Sequence, residues 1–122
     1  MKLIILGQIM GGKNNVLMTR TGHKYPNPKW AAWRDKVVAS MKIQAISQKK
    51  ANFEPIKGTL TISLNYWKGD LRRRDVPAIL DSLWHCLERA GIIEDDSQLC
   101  NVHFTVMGLN RLNARVEMEI WE

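Results

Sequence analysis

Apolar and polar residues alternate most regularly between positions 59 and 66. Leu60, Ile62, Leu64 and Tyr66 fall on one face and Thr59, Thr61, Ser63 and Asn65 on the other, which predicts a strand with one face in the core. Two other stretches carry the three- and four-residue steps of a helix. Asn27-Pro28 reads as an N-cap followed by proline at the first helical position. Trp30, Trp33, Val37, Met41 and Ala45 then form an apolar stripe to about residue 49, where Lys49-Lys50 suit the C-terminal dipole. A second helix is expected from a cap at Asp75. It tolerates Pro77 in its first turn, turns Val76, Leu80, Leu83, Leu87 and Ala90 inward, and stops at Gly91. Residues 2–8 form a short apolar run that predicts a buried strand. Val102, Phe104 and Val106 share one face of another, and Val116, Met118 and Ile120 mark a closing strand after the turn Gly108–Asn113. Residues 9–26, with Gly11-Gly12, Asn14-Asn15, Gly22 and Pro26, read as loop. The predicted order is β-α-β-α-β-β: an α+β fold with a mixed sheet and two helices packed on one face, in a single domain over residues 1–122.

Composition narrows the class. A chain of 122 residues can bury roughly two thirds of its unfolded surface, so it needs no disulfide or metal staple. No apolar run approaches the ~20 residues of a membrane-spanning helix, so no membrane partner is expected. Leu3-Ile4-Ile5-Leu6 is too short for a secretory signal, and two cysteines, Cys86 and Cys100, give no disulfide framework. Both features point to a reducing, cytoplasmic setting. Eighteen Lys and Arg against twelve Asp and Glu leave a charge of +6, which favours a polyanionic partner, nucleic acid first.

The charges are unevenly placed. Seven of the twelve acids lie within residues 70–96: Asp70, Asp75, Asp81, Glu88, Glu94, Asp95 and Asp96. Beside phosphate they would repel unless they held a divalent cation; otherwise they are helix caps and a solvated acidic turn. Arg72-Arg73-Arg74 directly precedes Asp75, and adjacent arginines can bind phosphates bidentately or form a solvated loop. His23, His85, His103, Cys86 and Cys100 lack zinc-ligand spacing. Glu94–Gln98 is no EF-hand, and Gly11-Gly12-Lys13-Asn14 is no phosphate-binding glycine motif. Trp30 and Trp33 fit a core, whereas Trp67 and Trp84 are candidates for an interface or DNA contact.

Arg72-Arg73-Arg74-Asp75, followed by Glu94-Asp95-Asp96-Ser97-Gln98, resembles the RusA family of Holliday junction resolvases, small phage- and prophage-encoded endonucleases. The likeness covers nearly the whole chain. It includes Gly11-Gly12-Lys13-Asn14-Asn15, the helix around Trp33-Arg34-Asp35-Lys36-Val37, and Ala90-Gly91-Ile92-Ile93 before the acidic turn. The resemblance implies a homodimer that binds four-way DNA junctions and cuts two opposing strands with Mg²⁺, or Mn²⁺ in its place, and no organic cofactor. Asp75 and Asp96 match two members of the family's acidic set. Pro77 stands where a second aspartate is expected, and Asp81 where the family carries lysine.

The resemblance therefore implies Asp75 and Asp96 as catalytic metal ligands, with Asp81 or Asp95 supplying the missing carboxylate. Asp81 lies one turn beyond Pro77 and can lean back over the first turn, or it can belong to a polar stripe with His85 and Glu88. Arg72, Arg73, Arg74, Lys13, Arg20, Lys24 and Lys68 are the expected DNA contacts. Two other readings stand beside this one: a DNA-binding homologue that binds branched DNA without cutting, and a protein-interaction module for an acidic partner.

Overall fold

The computed structural model describes residues 1–12, 16–49 and 54–122, and the fold is α+β as expected. Strand β1 (Lys2–Leu6) opens the chain, and a small hairpin of β2 (Val16–Met18) and β3 (Lys24–Pro26) follows. Helix α1 (Pro28–Lys49) leads to β4 (Leu60–Lys68). Helix α2 (Val76–Arg89) leads through a short 3-10 turn (Asp96–Gln98) to β5 (Leu99–Leu109), and β6 (Arg115–Trp121) ends the fold. The main sheet is mixed, with order β1-β6-β4-β5. β6 runs antiparallel to β1 and β4, while β5 runs parallel to β4, as the α2 crossover requires.

The alternation in β4 becomes its structure. Leu60, Ile62, Leu64 and Tyr66 are buried beneath the helices, joined by Leu3 and Ile5 from β1 and by Val116, Met118 and Ile120 from β6. The helices contribute Val37, Met41 and Ala45 from α1 and Ile79, Leu83, Cys86 and Leu87 from α2.

Three sequence expectations are corrected. The segment read as loop contains the β2–β3 hairpin. The buried stripe of α2 is rotated: Ile79, Ser82, Leu83, Cys86, Leu87 and Ala90 are buried, while Val76 and Leu80 are only half-buried. Ser82 can sit inside because Trp30 Nε1 donates to its Oγ at 3.1 Å, so the hydroxyl costs little there. Asp75 occupies the N-cap position in extended conformation, but its side chain makes no cap hydrogen bond. Among the described residues no helix is long and apolar enough to cross a membrane.

Candidate nucleic-acid interface and acidic turn

The strand directions sort the charged residues into two groups. Three chain passes converge at the end of the sheet where β4 and β5 finish. Gly7 N–H donates to Ala114 O at 2.8 Å, Asn110 N–H to Lys68 O at 2.8 Å, and Gly69 N–H to Gln8 Oε1 at 2.8 Å. Gln8 also donates to the Tyr66 hydroxyl, which anchors this corner to the core. A Cβ on Gly69 would lie 3.0 Å from the Ala114 Cβ, so only glycine lets the passes approach so closely.

This junction presents Lys68, the Arg72–Arg74 loop, Arg111 and Arg115. Arg72, Arg73 and Arg111 are exposed, and two large apolar side chains stand among them, Leu71 at 74% and Leu112 at 100% exposure. Gln8, Gly69, Asp70, Arg111, Leu112 and Asn113 line a shallow depression between the two loops. Not every expected contact is available. Arg74 is paired with Asp70 at 2.7 Å, its Nε has no hydrogen-bond partner among the described residues, and it works as a strut for the loop. Partial desolvation pushes the Asp70 carboxyl up, but the Arg72 backbone N–H and the Arg74 guanidinium outweigh it and hold it below its usual value.

Trp67 is covered, with the Arg115 guanidinium 3.8 Å from its ring centroid. Trp84 packs against the core cluster. Neither ring is a free platform for a base. Arg20 and Lys24 are exposed on the hairpin. The chain leading to that hairpin passes the first turn of α2, where a Cβ on Gly11 would be 3.1 Å from the Ala78 Cβ. Lys13 lies outside the described residues.

Asp75 belongs to this basic end. Its backbone carbonyl accepts from Ile79 N–H at 3.1 Å, while its carboxylate is exposed and makes no bond to the helix amides. Asp81 is half-buried further along α2, about 9 Å from Asp75 at 1.5 Å rise per residue.

The acidic turn lies at the other end. Asp96 N–H donates to Glu88 Oε1 at 2.7 Å, near the C-terminus of α2. Asp95 caps the 3-10 turn through Ser97, and Gln98 Oε1 accepts from Glu94 and Asp95 N–H. The Ser97 hydroxyl and then its backbone N–H pull the Asp95 carboxyl below its usual value. Gln98 also donates to Ile56 O and Gly58 O, fixing the turn to the start of β4.

Glu88, Asp95 and Asp96 each offer an oxygen within 4.8 Å of the others, a donor set suited to a hard divalent cation. Glu88 and Asp95 already accept from backbone amides of the turn, which accounts for those acids without an ion. From Asp75 to Glu88, α2 rises about 20 Å. Within one chain, then, folding brings Asp96 and Asp95 to Glu88 and leaves Asp75 at the opposite end of the helix.

Sequence reasoning missed Glu88, Arg111 and Arg115. The α2 crossover held the signal for the arginines, because loops at the carboxyl ends of neighbouring parallel strands must lie side by side. No protein-family model matches this sequence, and no curated protein does so either.

Proposed function

We propose that the protein binds branched DNA through its arginine loops and cuts it in a metal-dependent reaction, as the resemblance to RusA-type junction resolvases implies, in the cytoplasm of a bacterial or phage-infected cell. The observation that carries the reading is at the N-terminus of α2. The exposed Arg72 and Arg73, beside Arg111, flank an Asp75 carboxylate that helix capping does not consume. Arginine forks would hold phosphodiester oxygens, and Asp75 would face the backbone they hold. Leu71 and Leu112 supply apolar tips between the arginines, suited to bases that are unstacked at a branch point. Mg²⁺, when bound, would activate water and stabilise charge on the scissile phosphate.

A synthetic four-way junction, with linear duplex beside it, tests this. Binding should weaken with salt at about −0.9 in log–log slope per phosphate contacted, and replacing Arg72, Arg73 and Arg111 by alanine should flatten that slope. Symmetric nicks on the junction in Mg²⁺ are expected, lost in Asp75→Asn with binding retained. Salt-independent binding would remove the nucleic-acid reading.

The separation of Asp75 from Asp96 favours a second reading, a protein that binds branched DNA without cutting. Junction binding with no nicks in Mg²⁺ or Mn²⁺ would establish it.

A further inference from the structure

The sheet has two outer edges, and one of them is open. β5 is the terminal strand on the side away from β1, and it is eleven residues long. Its sequence, Leu99 to Leu109, contains no Asp, Glu, Lys, Arg or Pro, although a quarter of the chain is charged. Exposed edge strands normally carry lysine, proline or inward charge to prevent pairing with another chain. Here the helix-side face of β5 instead shows Val102 at 40% and Val106 at 46% exposure, on either side of a half-buried Phe104.

We infer that β5 pairs antiparallel with β5 of a second copy of this chain, about a two-fold axis normal to the sheet, to form one continuous eight-stranded sheet. Three observations commit the edge to a second copy. The first is register. Such an axis must pass beside a residue that faces its own counterpart, because opposed residues share a face. The midpoint of β5 is Phe104. Centred there, Val102 meets Val106 of the other copy on the helix side, and Phe104 meets itself, so the strand is complementary to its own reverse.

The second is charge. The axis reverses one copy end for end, which sets the acidic turn at Glu94, Asp95 and Asp96 beside the other copy's Arg72, Arg73 and Arg111. A chain of net charge +6 thereby meets itself through opposite signs.

The third is the split site. On the metal-dependent cutting reading proposed above, Asp75 and Asp96 should act together, yet α2 holds them about 20 Å apart within one chain. The two-fold places Asp96 of one copy at the same end, and on the same face of the sheet, as Asp75 of the other. Each candidate site then takes Asp75 from one copy and the acidic turn from its partner.

Mass and crosslinking test the interface without any assumption about DNA. The wild-type chain should sediment at twice 14.0 kDa. Val102→Lys/Val106→Lys, which opposes lysine to lysine across the axis, should sediment at 14.0 kDa with an unchanged circular dichroism spectrum. Phe104→Cys in a Cys100→Ser background should form an interchain disulfide, because directly opposed Cα atoms lie about 4.5–5.5 Å apart. Asn101→Cys/Met107→Cys in the same background uses two exposed positions and serves if Phe104→Cys does not fold. A wild-type monomer, or a dimer that neither cysteine variant crosslinks, overturns the pairing.

Mixing tests the shared site. Asp75→Asn and Asp96→Asn should each be inactive alone. Reassociated in equal amounts, they should recover about a quarter of wild-type nicking, because half the dimers are mixed and each holds one intact site. No recovery, with wild-type cutting and the crosslink intact, overturns the shared site. A wild-type chain that never cuts defeats the functional reading and leaves the interface to be judged on the disulfide.

Discussion

The two edges of this sheet are finished in opposite ways. Along β1, α1 supplies a substitute strand. Gln44 Oε1 accepts from Ile4 N–H at 2.8 Å and its Nε2 donates to Ile4 O at 2.8 Å. Gln48 does the same for Lys2, accepting at 3.0 Å and donating at 2.5 Å. The spacing makes this work. Four residues of helix rise about 6 Å and two residues of strand about 6.7 Å, so successive amides meet successive outward-facing residues. Along β5 no such ladder is built, and the strand is left apolar and uncharged. An edge can therefore be closed by side chains of the same chain or held in a form that a second chain completes. The contrast says that the open edge is a feature of the fold rather than a tolerance of all its edges.

The largest effect should come from removing the cap on β1. Gln44→Leu/Gln48→Leu keeps good helix formers but deletes four hydrogen bonds to the strand. Each bond is worth about 0.5–1.5 kcal/mol, and the freed backbone is rehydrated at this surface, so about 2 kcal/mol should be lost in urea unfolding. Light scattering should also rise, because both edges of the sheet would then be open. Unchanged stability and unchanged mass would show that β1 does not depend on its glutamines, and the contrast between the edges would fall.

The two cysteines give a smaller effect that bears on the other edge. Burial pushes the Cys86 thiol up to about 12, with the Arg34 and Arg89 charges opposing it only in part, so it stays protonated and enclosed at pH 8. Cys100 is exposed near the start of β5. One thiol per chain should react with a disulfide reagent in the native protein, and the second only on unfolding. In the paired register Cys100 faces Gly108 of the other copy, so dilution below the dimer's dissociation range should speed its reaction. A rate independent of concentration counts against a covered β5 edge. Two thiols reacting at once would contradict the burial of Cys86.

How much of this was legible in the sequence depends on what surrounds each element. β4 was plain, because a strand between two neighbours with one buried face must alternate. The face of β5 that carries Val102, Phe104 and Val106 was equally plain, but alternation says nothing about whether a strand has one neighbour or two. The phase of α2 was misread because its inward stripe includes Ser82, which hydropathy treats as outward and which Trp30 makes acceptable inside. The roles of Gln44 and Gln48 leave no trace in polarity, since a capping glutamine and a solvated one look alike. The separation of Asp75 from Asp96 could have been read. A helix from residue 76 to 89 is long enough to hold its two ends far apart, and only the family resemblance argued for joining them.

The smallest expected effect concerns acid, which probes the ends of α2 and leaves the edges alone, since neither β1 nor β5 contains a carboxylate. Asp70 lies half-exposed in the loop before α2. Desolvation raises its carboxyl, yet the Arg72 N–H and the Arg74 guanidinium together hold it below the ordinary 3.8. A carboxyl lowered by folding stabilises the native state above its unfolded value, and that contribution disappears as the pH falls through the lower, folded value. Asp70→Asn should therefore reduce Tm at pH 7 by less than the glutamine pair does, because an exposed ion pair is weak. The gap between variant and wild type should narrow steadily on acidification below about pH 4. Added salt at pH 7 should narrow it too, since the Arg74 contact is screened at this surface. A gap that widens in acid would mean that Asp70 supports the loop through its shape and not its charge, and the arginine loop would then owe its conformation to Gly69 and Gln8 alone.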